Sequence, residues 1–251
     1  MSEFETVFLF ETDENGIPLS DAGTVYEVLK EYNWLRMVSM DANSVRFRSI
    51  NNVCDVFDSA YFPKMIPVGS VEFVERIMRK KINPILVPDE LGEFTGRKVK
   101  IVSSKDEITQ IAQEWGRNKI FLKSASAVKC DYSDIYCLPG RLPDDSKYFM
   151  SEVIDIESEY RCFVRDGRLI NIKNYSGNPF VVPDEKAITN MINVYKDCSP
   201  SYTLDVGITK GGETVVIEVH NFIACGLYGF DSVDIIPMLI RAYRYEQRRE
   251  V

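Results

Sequence analysis

Two carboxylates in the second half of the chain have the setting of a cation site. Asp205 lies in the strand pattern YTLDVGI and Glu218 in TVVIEVHNF, and the turn residues KGG join the two patterns. Carboxylates on neighbouring apolar strands are costly unless they are paired or bind a cation, and Mg²⁺ prefers oxygen ligands. The pattern therefore predicts a magnesium site, and the alternative is two carboxylates on a solvent-facing sheet. Alternation along the strands places both carboxylates opposite an apolar row of Leu204, Val206, Ile208, Val215, Ile217 and Val219.

Two basic residues precede these carboxylates and could contact phosphate groups. Lys123 lies at the end of the strand pattern KIFLKS, and the small residues of SASAVK that follow would let backbone N–H groups approach an anion. Arg161 lies near the start of a strand, and a guanidinium on a rigid strand suits bidentate contact with phosphate. Taken alone, each has a simpler interpretation: a solvated lysine, and an arginine paired with Glu157 and Glu159.

The segment SEVIDI has the composition of an adenine-binding strand. Glu152 precedes the apolar residues Val153 and Ile154. Adenine needs an apolar slot with backbone donors and acceptors at its edge, plus an acceptor for its amino group. An ordinary edge strand has the same pattern, so this segment gains meaning only together with the lysine, the arginine and the carboxylates.

The first part of the chain predicts an α/β layer that would support these residues. TVFLF is a strand pattern, and Val25, Val28, Leu29 and Tyr32 form one apolar helical face. WLRMVSM and SVRFRSI follow as predicted strands, and a second helix begins after Ser70. INPILVP is a further short strand pattern bounded by prolines. Alternation of this kind indicates α/β organisation.

The remainder of the chain predicts strands in antiparallel succession. Ser104 and Glu107 form a capping box at the start of a helix. A meander of strands begins near residue 147, and Asp166-Gly167 is a strong hairpin signal within it. A helix is expected after Asp184, and a last helix is expected from about Asp231–Pro237 onward.

Composition limits the classes of partner. The net charge of −8 disfavours binding to nucleic acid or to anionic membranes, and no apolar run reaches the length of a membrane span. The six cysteines include no CxxC pair, and the single histidine, His220, excludes a multi-histidine metal site. The acidic N-terminus is unlike a secretory signal, so we expect a cytoplasmic location with free thiols. Composition and pattern do not indicate the oligomeric state.

The order of these motifs resembles the ATP-grasp superfamily. Lys123, the SEVI strand, EYRCFVRDGR, LDVGI and VVIEVHNF succeed one another as in that family, over about residues 97 to 250. The preceding segment, including FPKMIPVGSVEFV, resembles a pre-ATP-grasp domain, and the whole is similar to small phage- and bacteria-associated members of mostly unassigned substrate. The resemblance implies a mixed α+β and α/β architecture with domains at 1–95, 96–146 and 147–251. The last two would be ATP-grasp subdomains, and the third would carry the metal site.

The resemblance also implies a role for each candidate residue. Lys123 and Arg161 would contact the triphosphate and act in catalysis, with Lys173 as a second basic contact. Adenine would meet the hinge at Glu152, Val153 and Ile154. The Mg²⁺ ligands would be Asp205, Glu218 and Asn221. The chain departs from many members in having His220 where they have asparagine, and a serine- and alanine-rich phosphate loop where they have glycines, so either His220 or Asn221 would complete the metal site.

The function that the resemblance implies is an ATP-dependent ligase with Mg²⁺ as its cofactor. Such an enzyme activates a carboxylate as an acyl phosphate and joins it to an amine or another nucleophile. The expected partners are small-molecule or peptide acids and amines. The alternatives are a phosphotransferase that stops after phosphorylating its substrate, and a non-catalytic ATP-binding module that acts through a protein partner.

Overall fold

The protein is built on three sheets, which are seen in a computed structural model. The structure describes residues 6–39, 46–50, 65–83, 86–126, 132–196 and 198–248, with only the backbone of 46–50. Helices and predominantly antiparallel sheets are combined, which confirms the expected α+β and α/β architecture. No helix among these residues combines the length and the apolar character needed to cross a membrane.

The first sheet is a parallel α/β layer near the N-terminus. Its strands are β1 (Val7–Glu11), β2 (Arg46–Ile50) and β3 (Met65–Val68), in the order β2-β1-β3, and its helices are α1 (Asp21–Val38) and α2 (Val71–Met78). The strand predicted over WLRMVSM is wrong, because residues 34–38 continue α1. Leucine, arginine and methionine are good helix formers, and the bond from Ser39 N–H to Leu35 O closes the last turn.

The connection to the second sheet contains little regular structure. The strand predicted over INPILVP is reduced to one bridge, between Leu86 and Val219; Pro84 and Ile85 lie outside the described residues. Proline has no N–H to donate to a sheet, so flanking prolines limit the pairing of this segment. A 3₁₀ helix over Asp89–Phe94 then leads to the second sheet.

The second sheet is antiparallel, with the strand order β4-β7-β5-β6. Ser104 caps its helix by accepting a hydrogen bond from Glu107 N–H, as the sequence predicts, but the Glu107 carboxylate accepts from Ser103 N–H instead. The expected domain boundaries stay a prediction. The change of sheet occurs after Glu152, because β7 pairs with β4 and β5. The elements are β4 (Val99–Val102), α3 (Lys105–Glu114), β5 (Lys119–Ser124), β6 (Ser133–Cys137) and β7 (Tyr148–Glu152).

The third sheet is also antiparallel, with the strand order β11-β10-β8-β9. The predicted hairpin joins β8 to β9, with Asp166 and Gly167 at φ values of 50° and 71°. Asp184 caps α4 through its carboxylate. The elements are β8 (Ile156–Arg165), β9 (Arg168–Gly177), α4 (Glu185–Val194), β10 (Ser201–Thr209), β11 (Thr214–Asn221) and α5 (Ile235–Arg248).

Hydrophobic packing fixes one face of the third sheet. Leu204, Val206 and Ile208 of β10 form a buried cluster with Ile188 and Met191 of α4. The α5 helix instead packs into the core of the first sheet. The opposite face of β10 and β11, which carries Asp205 and Glu218, is therefore left to face the second sheet.

Candidate functional site

A cleft of about 340 Å³ lies between the second and third sheets. Residues from β5, β6 and β7 line one side, and residues from β8, β9 and β11 line the other. The segment that joins the two sheets, including Val153 and Ile154, lies at its edge. All the elements for which chemistry is predicted thus border one cleft.

Four charged residues lie directly opposite one another across the third sheet. In the order of the strands they are Glu218, Asp205, Arg161 and Lys173. Residues directly opposite in antiparallel strands project to the same face. The sheet therefore brings these predicted residues into one row, with two carboxylates followed by two cations.

A β-bulge in β11 sets the orientation of Glu218. Asp205 pairs with Glu218, but Val206 pairs with Val216, which leaves Ile217 as an extra residue. Ile217 and Glu218 therefore both line the cleft, and the predicted alternation that placed Ile217 in the apolar row is wrong. A bulge redirects neighbouring side chains in this way, and sequence period cannot reveal it.

Arg161 and Asp205 form a buried bidentate ion pair. Arg161 Nε donates to Asp205 Oδ1 at 2.8 Å and Nη2 donates to Oδ2 at 2.7 Å, while Nη1 donates to Gly226 O at 2.9 Å. The two residues are 5% and 2% exposed. Burial raises the pKa of the Asp205 carboxyl, whereas the hydrogen bonds from Arg161 favour its charged form.

This ion pair corrects the place expected for Arg161. The guanidinium does not line the cleft as a triphosphate contact, because the neighbouring strand supplies a buried carboxylate that binds it. It also lies 4.9 Å from the ring centre of Tyr228, which stacks on Tyr175. Arg161 therefore links the row to the segment that follows β11.

Lys123 and Glu218 meet across the cleft. Lys123 Nζ lies 2.6 Å from Glu218 Oε2, and both side chains line the cleft. Lys123 comes from the second sheet and Glu218 from the third, so this contact joins the two sides. A lysine and a carboxylate at the same polar cleft give it a binding group for an anion and one for a cation.

The predicted hinge residues border an apolar slot in the cleft. Glu152 is fixed by Lys98 N–H at 3.0 Å and by Arg117 Nε at 2.9 Å, and these contacts lower the pKa of its carboxyl. The Glu152 carboxylate therefore anchors the hinge. The apolar residues that line the slot are Leu86, Phe121, Ile135, Phe149, Val153 and Ile154.

Arg97 is a cleft residue that sequence reasoning missed. Its Nη1 donates to Thr95 O and to Val216 O, each at 2.9 Å, and its side chain lines the cleft. Burial lowers the pKa of the Arg97 guanidinium, and the charge of Glu159 opposes this shift. The signal available in the sequence was only a basic residue just ahead of β4, which is a common surface pattern.

Asn221 is not brought to the predicted metal site. Asn221 Nδ2 donates to Glu246 Oε1 at 2.6 Å, and the residue lines a different cavity. It is three residues after Glu218, so strand alternation directs it to the other face. His220 is buried, which lowers its pKa to about 4. Within the described ranges, no group of three or more histidine, cysteine, aspartate or glutamate side chains is arranged to hold a metal ion.

Asp145 fixes both ends of the segment that follows Lys123. Its carboxylate accepts from Ser124 Oγ and Ser126 Oγ, each at 2.5 Å, and from Tyr132 OH at 3.1 Å. Desolvation acts to raise the pKa of Asp145, but the hydrogen bonds to its carboxylate together lower that pKa to about 2. Residues 127–131 of the predicted phosphate loop lie outside the described residues.

Comparisons with known proteins follow the same division of the chain. A family model described as an ATP-grasp domain, the second family of its clade, matches residues 94–238. The structure of the D-cycloserine synthetase DcsG is similar with a TM-score of 0.56 at 11% identity, covering 97% of this chain and 99% of that chain. D-alanine–D-alanine ligase from Bacillus anthracis has a TM-score of 0.47 at 12% identity, covering 98% and 99%. A search of curated proteins gave no match.

Proposed function

This chain belongs to the ATP-grasp superfamily, and from that membership we propose that it is an ATP-dependent ligase. It would activate a carboxylate as an acyl phosphate and join it to an amine or another nucleophile. The observation that carries the proposal is the meeting of Lys123 and Glu218 in a cleft that also has an apolar slot. These are the groups that a magnesium-bound nucleoside triphosphate requires.

The adenine and phosphate subsites are assigned by chemistry. The apolar side chains between Phe121 and Ile154 suit a flat base, and the backbone at Val153 and Ile154 would supply hydrogen bonds at its edge. Lys123 and Arg97 are the cleft cations that would meet the phosphates. When a phosphate arrives, the Lys123 ammonium would exchange its contact with Glu218 for one with the phosphate oxygens. Lys173 remains a proposed further basic contact at the end of the row.

The carboxylates fit a magnesium ion that is shared with the phosphates. Mg²⁺ is commonly held by one or two carboxylates, several waters and phosphate oxygens. Glu218 already accepts a cation at 2.6 Å, from Lys123, so we propose it as the main protein ligand. Asp205 would be the second carboxylate through its remaining lone pairs, because both of its oxygens already accept hydrogen bonds from Arg161. When bound, the ion would neutralise charge on the transferring phosphoryl group.

The proposed reaction has two substitutions. A carboxylate oxygen of the acid attacks the γ-phosphorus, the bond to the bridging oxygen breaks, and ADP leaves. An amine nitrogen then attacks the acyl carbon and phosphate leaves, while the amine loses a proton. The protein contributes position and charge: Lys123 stabilises the phosphoryl oxygens, and Arg161 positions Asp205 and the carbonyl of Gly226.

Hydroxylamine tests the proposed acyl phosphate. Wild-type protein with MgATP and pools of carboxylic acids is expected to release ADP and phosphate and to form a hydroxamate, because hydroxylamine traps an activated acyl group. A stable phosphorylated product without hydroxamate would establish a phosphotransferase instead. Nucleotide-dependent thermal stabilisation without ADP formation would establish a binding module, since a ligand of the native state raises its stability by mass action.

Asp145→Asn is expected to raise the KM for MgATP about tenfold with a smaller change in kcat. The carboxylate orients Ser124 and Ser126 directly after Lys123, and a tenfold weaker binding corresponds to about 1.4 kcal/mol, within the range of one charge-assisted hydrogen bond. Steady-state kinetics would measure it. Asp144→Asn is the matched control, because the Asp144 side chain is 95% exposed and contacts Lys105 at the surface. Equal effects from the two variants would contradict the positioning role.

A further inference from the structure

A second cavity lies on the other face of β10 and β11 from the cleft. Its volume is about 240 Å³, and it is bordered by the end of α2, the start of β10, the end of β11 and the end of α5. It therefore lies where the N-terminal layer meets the third sheet. Junctions of this kind between packed units are frequent sites for small molecules.

Two polar side chains that line this cavity lack partners. Tyr202 and Asn221 are directly opposite in β10 and β11, so their side chains project to the same face. Tyr202 is 2% exposed, and its hydroxyl has no hydrogen-bond partner among the described residues. The Oδ1 atom of Asn221 is likewise buried and unpartnered there. Buried polar atoms are seldom left without a partner, so these two atoms indicate that a polar ligand belongs in the cavity.

The orientation of Asn221 defines what the ligand must offer. A carboxylate only accepts hydrogen bonds, so the amide nitrogen must be the atom that faces Glu246, at 2.6 Å. Oδ1 therefore faces the cavity and needs a donor. The Tyr202 hydroxyl either donates or accepts. A bare anion such as phosphate could not serve Oδ1 and would also meet the carboxylate of Glu246.

The charged groups at the cavity carry both signs. Lys80 Nζ lies 3.2 Å from Glu246 Oε2, and the Lys81 side chain also borders the cavity. A ligand with only a positive charge would be repelled by the lysines, and one with only a negative charge by the glutamate. A molecule that carries both charges is complementary to this arrangement.

We propose that this cavity binds a small zwitterion of the size and charge pattern of a free amino acid. The ammonium group would donate to Asn221 Oδ1, and the carboxylate would accept from the Tyr202 hydroxyl on the side of the lysines. The site lies on the opposite face of the sheet from Glu218, so it is separate from the nucleotide cleft. The proposal does not depend on the ligase reaction.

Calorimetric titration of the intact protein with each proteinogenic L-amino acid tests this proposal. At least one amino acid is expected to bind saturably, and a saturating concentration of MgATP is expected to leave that site accessible. Acetate and methylammonium, which carry one charge each, are expected not to bind measurably. Failure of every amino acid, equal binding of acetate, or competition by MgATP would each overturn the proposal.

Tyr202→Phe gives the sharpest variant. It removes only a hydroxyl that has no protein partner among the described residues, so the fold is expected to be retained, and amino-acid binding is expected to weaken at least tenfold. Asn221→Ala is expected to have a similar effect, with its fold checked by circular dichroism. Tyr136→Phe, on β6 and away from the cavity, is the matched control. Unchanged affinity in Tyr202→Phe would overturn the assignment of the site.

Discussion

Arg161→Met is expected to lower the free energy of unfolding by about 3–5 kcal/mol, because it would leave the charge of Asp205 buried without its partner. Asp205 is 2% exposed, and its two oxygens accept hydrogen bonds from Arg161 at 2.8 and 2.7 Å. Urea denaturation at neutral pH would measure the loss. The sequence alone predicts a different outcome for this arginine, namely weaker ATP binding in a protein that stays folded.

The matched control for Arg161 is Arg165, on the same strand. Its Nη1 contacts Asp234 at 2.7 Å, but both side chains are partly exposed. Arg165→Met is therefore expected to cost less than about 1 kcal/mol, as is usual for pairs near the surface. A loss of similar size in both variants would show that the burial of Arg161 is not the cause.

The cause of the loss can be isolated by removing the second charge. The double variant Arg161→Met with Asp205→Asn is expected to recover much of the stability, because no uncompensated charge remains. In Arg161→Met alone, stability is expected to increase when the pH is lowered from neutral. The sign follows because burial raises the pKa of Asp205 above its unfolded value, so the folded state binds the proton more tightly.

Glu218→Gln is expected to reduce ADP formation by about a hundredfold or more. The glutamine keeps the shape of the side chain but removes the charge that would hold Mg²⁺ against the transferring phosphoryl group. Nucleotide binding is expected to persist in part, since Lys123, Arg97 and the apolar slot remain. Turnover would be measured with the acid identified in the hydroxamate screen, and nucleotide binding by thermal shift.

A glutamate outside the cleft provides the comparison for this variant. Glu213 is exposed in the turn between β10 and β11, only five positions before Glu218. Glu213→Gln is expected to keep wild-type turnover. Full turnover in Glu218→Gln would show that its carboxylate does not hold the metal, whereas loss of both turnover and nucleotide binding would assign it a role in binding as well.

The sequence by itself determined most of the local structure around the site. Hairpin residues Asp166-Gly167, the capping residues Ser104 and Asp184, and the pairing of Asp205 with Glu218 all follow from turn chemistry and strand period. These signals work because they depend on neighbours in the chain. The same local rules were wrong for residues 34–38, where an apolar run continues a helix, and at Ile217, where a bulge breaks the alternation.

Only the tertiary structure decided which charged groups meet. Lys123 contacts Glu218 from a different sheet, Arg161 is withdrawn from the cleft by Asp205, and Asn221 binds Glu246 on the other face. Strand period fixes the face to which a side chain points, but its partner is set by how the sheets and α5 pack. That packing depends on contacts between residues far apart in the chain, which no local pattern encodes.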